Sequence, residues 1–146
     1  MLIHVVTGTG KTLVMAVRGQ HLVSQGQHVH VISLHGSWSE AGNQHLVHQM
    51  RQSLTPEPVL CTKRYHVDQN TGVVTLVKTT VTPVTSSAVN VTLHLIDIGN
   101  VDCRVEQTVM KALRRELSVS TPPNHTMHVF SDEATSLIID IFVRYV

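Results

Sequence analysis

A chain of 146 residues with 42% hydrophobic and 14% charged side chains is sized for one domain with a buried core, and its mean hydropathy of +0.09 excludes a highly charged disordered segment. A formal net charge of +1 removes any bulk electrostatic case for nucleic acid, an anionic membrane or an acidic partner. No apolar run approaches the roughly 18 residues of a membrane helix, and "MLIHVV" lacks the charged and apolar regions of a signal peptide, so the expectation is one intracellular domain over 1–146, in cytoplasm or nucleus.

The predicted elements begin with "MLIHVV", a short β-type run that stops at Thr7-Gly8-Thr9-Gly10. From Lys11 to Gln25 the period becomes helical, with Leu13, Val14, Val17 and His21 or Leu22 on the apolar side and Gly26 as the C-cap. "HVHVIS" at 28–33 is a second strand in which Val29 and Val31 alternate with His28 and His30. Ser37 to Glu40 has capping-box spacing and opens a helix running to about Ser53. "LTPEPV" then breaks the chain. A strand over 59–67, a turn at "DQNTG" and a β-branched strand over 73–81 make a hairpin inserted between α/β units. "VNVTLHLID" at 89–97 alternates, with Val89, Val91, Leu93 and Leu95 on one face. Asp102 to Leu117 is an amphipathic helix whose stripe is Val105, Val109, Leu113 and Leu117. "TMHVFSDEA" is an apolar strand ending in two acids, and the final "SLIIDIFVRYV" fits either a helix or a strand.

Two stretches carry chemistry. In "TGTGKT" a glycine-rich turn leads straight into a helix, so unpaired backbone amides and the positive end of the helix dipole point at one spot and favour a phosphate. Lys11 is placed to reach the outer phosphates and the Thr12 hydroxyl to take a Mg²⁺ position. In "HVFSDEA", Asp132 and Glu133 stand at the carboxyl end of a strand, the edge where open α/β sheets bind ligands.

Residues 8–12 match the second half of a Walker A loop, and 129–133 match a Walker B strand with its adjacent glutamate. On those residues the chain resembles a P-loop NTPase. The series "GTGKT", "HVHVIS" leading into a helix, then "DEA" is similar to the first motifs of superfamily one helicase-like ATPases. The resemblance implies a RecA-like α/β core, a mostly parallel sheet flanked by helices with a hairpin insertion around 58–82. It implies ATP and Mg²⁺ as ligands. Gly8, Thr9, Gly10, Lys11 and Thr12 would bind nucleotide, Thr12 and Asp132 would hold the metal, and Glu133 would be the catalytic, water-activating residue. A nucleic-acid partner follows from the resemblance alone. The full loop would open with a glycine at residue 5, where this chain has Val, and only 13 residues follow Glu133. The expectation is therefore a core cut at both ends, binding ATP with weak Mg²⁺-dependent hydrolysis. The alternative is a non-catalytic scaffold domain, or a truncated fragment, that has lost the nucleotide.

Eleven histidines invite a metal reading. The pairs His28/His30 and His45/His48 lack a Cys or acid partner at a recognised spacing, so they read as polar residues facing solvent. Cys61 and Cys103 read as free buried thiols.

Overall fold

The computed structural model describes residues 2–3, 11–34, 36–83, 88–97 and 103–131, with the side chains at 2, 3, 11, 12, 36–39 and 103 outside that description. Its elements are β1 (Leu2–Ile3), α1 (Lys11–Ser24), β2 (Val29–Ser33), α2 (Gly36–Arg51), β3 (Leu60–Val67), β4 (Val74–Thr82), β5 (Val91–Asp97), α3 (Cys103–Ser120) and β6 (His128–Phe130). They build a six-stranded sheet in the order β1-β6-β2-β5-β3-β4, parallel throughout except for β4, which runs antiparallel to β3. The chain is thus α/β with a mixed, mostly parallel sheet. The β3–β4 hairpin occurs as expected, but its first strand is also a parallel strand of the main sheet, paired with β5 from Leu60 to His66. Only β4 is an addition to the sheet.

The order explains the layering. The chain moves one way across the sheet from β1 through β2 to β3, and the opposite way from β5 to β6. Right-handed crossovers then put α1 and α2 on one face and α3 on the other. The core divides accordingly. Met15, Ala16, Leu22 and Val23 of α1 and Leu46, Val47 and Met50 of α2 pack on Val29, Val31, Val91, Leu93, Leu95 and Phe130. Val109, Met110, Leu113 and Leu117 of α3 pack on Ile32, Tyr65, Val67, Ile96 and Val129. Each large side chain buried in this way contributes about 1.5–3 kcal/mol relative to leaving it exposed.

Helix α1 turns a different face inward from the one expected. Leu13, Val14 and Val17 are 63%, 65% and 57% exposed, while Met15, Ala16, Leu22 and Val23 are buried. The second stripe has the same helical period, and it contains Gly19. A Cβ at Gly19 would lie 2.6 Å from Met50 Sδ, so the missing side chain is what lets α2 approach. Gln20 joins the two helices, donating through Nε2 to the carbonyls of Gln49 at 2.6 Å and Gln52 at 3.0 Å, near the end of α2 where carbonyls lack helical partners. Gly26 closes α1 as expected, at φ 79°, with Gly26 N–H bonded to Val23 O and Gln27 N–H to Leu22 O. Helix α2 starts at Gly36, one residue before the proposed cap, and ends at Arg51, before Ser53 turns left-handed at φ 72°.

The "DQNTG" turn forms as read. The Asp68 carboxylate accepts from the backbone N–H groups of Asn70 and Thr71, and these bonds hold its pKa below the ordinary carboxylate value. Gly72, at φ 75°, brings the hairpin tip against α3 beside Val105 and Thr108.

Candidate functional site

Strands β1 and β6 are neighbours and run parallel, with Leu2 opposite Val129 and Ile3 opposite Phe130. Adjacent strands lie about 4.8 Å apart. The segments leaving β1 and β6, which hold the two motifs, therefore begin side by side at the carboxyl edge. Helix α1 starts at Lys11, and Lys11 and Thr12 are its first two residues. Its first turn holds no acidic residue, so nothing in that turn opposes an anion at the positive end of the helix. On the other strand the chain is described as far as Ser131, a buried residue whose Oγ donates to the Ile32 carbonyl of β2 at 2.9 Å. Gly8, Thr9 and Gly10, the side chains of Lys11 and Thr12, and Asp132 and Glu133 lie outside the described residues, as do the Cys103 thiol and the final apolar run.

A second feature marks the same edge. The neighbours β2 and β5 lead into α2 and α3 on opposite faces, a topological switch point of the kind at whose carboxyl ends open α/β sheets bind ligands. β6 adjoins it, and Asp97 stands exposed at its β5 side. A cavity of about 460 Å³ among the described residues lies elsewhere. It is lined by Val23, Leu54, Pro56, Pro58, Val59 and Pro83 at the opposite edge, where α1 ends and β3 begins. Among the described residues no group of three His, Cys, Asp or Glu side chains is placed to hold a metal ion, and no helix is long and apolar enough to cross a membrane.

The polar centre that sequence reasoning missed lies between the sheet and the last turn of α3. His28, His30 and His94 are 4%, 0% and 2% exposed, so the first two do not face solvent. Tyr65 Oη lies 2.9 Å from His94 Nδ1, His94 Nε2 lies 3.0 Å from His30 Nδ1, and His30 Nε2 lies 2.7 Å from Thr121 Oγ1. The Thr121 hydroxyl donates to the Leu117 carbonyl at 2.7 Å. That last bond sets the direction of all the others, because a carbonyl only accepts. His30 must donate from Nε2 to Thr121, His94 from Nε2 to His30, and Tyr65 to His94. Both rings are neutral Nε2–H tautomers. His28 is fixed separately, donating from Nδ1 to the Val89 carbonyl at 3.1 Å and accepting from Thr92 at 3.0 Å.

Burial dominates the electrostatics of this centre. Desolvation, reinforced by neighbouring histidines and Lys63, lowers His30 from 6.5 to about 2, and desolvation with Lys63 lowers His94 to about 3. His28 is lowered for the same first reason, against the opposing bond to Val89. Tyr65 is pushed up by burial, with Glu116 and Cys61 adding to the effect. Burial also pushes up the thiol of Cys61, which is free, as expected. The only sequence signal for the centre was polar residues alternating within two strands that helices cover on both faces.

No family model, curated protein or solved structure matches the chain.

Proposed function

We propose that this domain binds a nucleoside triphosphate, ATP in the first instance, with Mg²⁺ at the carboxyl edge of β1 and β6, through a P-loop NTPase-like core. The observation that carries the reading is the parallel pairing of β1 with β6, which starts the two motif segments from adjacent strand ends. The acid-free first turn of α1 fits a phosphate, and the hydroxyl and carboxylate of Thr12 and Asp132 are the oxygen donors Mg²⁺ takes. Bound there, the metal would neutralise phosphate charge. The chain's own part is positioning. The amides at Gly8, Thr9 and Gly10 cradle the phosphates, Lys11 pairs with their outer oxygens, and Glu133 orients a water. Val in place of Gly at residue 5 motivates slow turnover.

The test is equilibrium binding of a fluorescent ATP analogue with Mg²⁺, wild type against Lys11→Ala. Saturable binding that the variant loses supports the site, and hydrolysis is then compared in Glu133→Gln. A folded wild type that binds no nucleotide overturns the proposal in favour of a scaffold domain that kept the fold alone.

A further inference from the structure

The buried hydrogen-bond chain runs in one direction and has no spare acceptor. It starts at Tyr65 on β3, crosses His94 on β5 and His30 on β2, and ends at Thr121, the first residue after α3. A proton added to either imidazole makes both of its ring nitrogens donors. If His30 gains it, His30 Nδ1–H faces His94 Nε2–H. If the chain reverses to relieve that clash, His94 Nδ1–H points at the Tyr65 hydroxyl, whose only hydrogen bond among the described residues is the one to His94. Neither arrangement is satisfied in a buried site, where an unpaired polar group costs about 1–3 kcal/mol.

The surrounding charges do not absorb the proton. Lys63 of β3, held by Ser120 Oγ at 3.0 Å, faces both rings with the same sign. His28, just before β2, and His128 of β6 add further positive influence on His30, and His125 of the α3–β6 connection acts on His28. From α3, Glu116 acts at the Tyr65 end, as does Cys61 of β3. The His30–Thr121 bond is the link closest to solvent, since Thr121 is half-buried while both rings and Tyr65 are buried.

We propose that the Tyr65–His94–His30–Thr121 chain is an acid-sensitive latch. It holds residues 121–127, the connection from α3 to β6, against the sheet, and it releases them when a proton enters the chain. The connection leads directly into β6, which Ser131 follows. Acid release would therefore loosen the connection leading into β6 before the layer formed by α1 and α2, into which Phe130 packs. The latch stands on the described hydrogen bonds and does not depend on nucleotide binding.

Amide hydrogen exchange on the whole chain at pH 7.5 and 5.0, corrected for intrinsic exchange, tests it. Release of one histidine with the ordinary value of 6.5 raises the opening equilibrium about 30-fold over that interval. The expected result is a rise of that order at amides 118–128, whose opening free energies stay below those at 15–23 of α1 and 43–50 of α2, segments that lose protection only as global stability falls. Gln keeps a donor and an acceptor but does not titrate, so His30→Gln should reduce the rise and the double variant His30→Gln/His94→Gln should abolish it. Unchanged protection at 118–128, or the same opening free energy in all three segments at both pH values, overturns the latch. Should the variant fail to fold, imidazole ¹⁵N spectra of the wild type remain decisive: Nε2–H tautomers at His30 and His94 are required, and an Nδ1–H tautomer at either breaks the chain.

Discussion

Two glycines with nearly the same backbone angle and opposite surroundings allow strain and crowding to be measured apart. Gly26 at φ 79° has nothing within 4 Å of where a Cβ would sit. Gly72 at φ 75° would place a Cβ 2.9 Å from the Val105 carbonyl oxygen and 3.1 Å from the Cβ atoms of Val105 and Thr108. Alanine in the left-handed region costs about 1–2 kcal/mol, and the reduced freedom of the unfolded chain returns about 0.4–1 kcal/mol. Gly26→Ala should therefore lose about 1 kcal/mol. Gly72→Ala carries the same backbone terms plus crowding of about 1–3 kcal/mol, because a helix carbonyl cannot swing aside as a flexible side chain does. The expected loss is about 2–4 kcal/mol. Equilibrium urea unfolding of both variants, read as a shift in midpoint at constant slope, checks this. Equal losses in the two variants would refute the packing of the hairpin tip on α3.

Stability should fall on acidification. His30 and His94 are held neutral when folded and return to about 6.5 when unfolded, so the unfolded chain binds more protons at acid pH. Their contribution is fully present above about pH 6.5 and is lost progressively as pH falls toward their folded values near 3 and 2. At pH 5 the loss is about 2 kcal/mol for each ring, about 4 kcal/mol together. Urea midpoints taken from pH 7.5 to 5 read it, and a flat profile would show that the rings are not buried neutral. At the α1–α2 contact, Gly19→Ala should lose about 1–3 kcal/mol by displacing the buried Met50. Met50→Ala should cost about 2–5 kcal/mol alone and measurably less in the Gly19→Ala background, a non-additivity that a double-mutant cycle reads directly.

Local chemistry made the elements legible and left their orientation to the partners. The Gly26 cap, the Asp68–Gly72 turn and the Val109–Leu113–Leu117 stripe depend on residues within a turn or two, and each appears where it was read. Facing direction is a non-local property. "HVHVIS" and "VNVTLHLID" alternate like half-exposed strands, yet β2 and β5 lie in the middle of a sheet covered on both faces, so polar and apolar positions are buried alike. Histidine is suited to the polar positions, since a neutral ring with one donor and one acceptor can extend a buried chain without carrying charge. In α1, residues 13, 14 and 17 and residues 15, 16, 22 and 23 have equal claims by period, and the close approach of Met50 at Gly19 decides between them.

The candidate nucleotide site depends on a relation that no window of sequence contains. The motifs are separated by more than a hundred residues and stand on the shortest strands of the sheet, of two and three residues. A strand order with β6 beyond β4 would set their carrier strands about 24 Å apart at ordinary spacing, too far for one phosphate group to be shared. The observed order makes them adjacent, and the parallel direction starts both following segments from one edge. β6 is also registered from its other side by pairing with β2 and by the bond from Ser131 to Ile32. The end of β6 is thus set by two neighbours, one of them the strand that precedes the first motif. That double constraint is why Lys11→Ala binding discriminates between the readings. If the site exists, the loop supplies the phosphate contacts. If it does not, the same adjacency is a packing feature of an α/β sheet, and replacing Lys11 leaves binding unchanged.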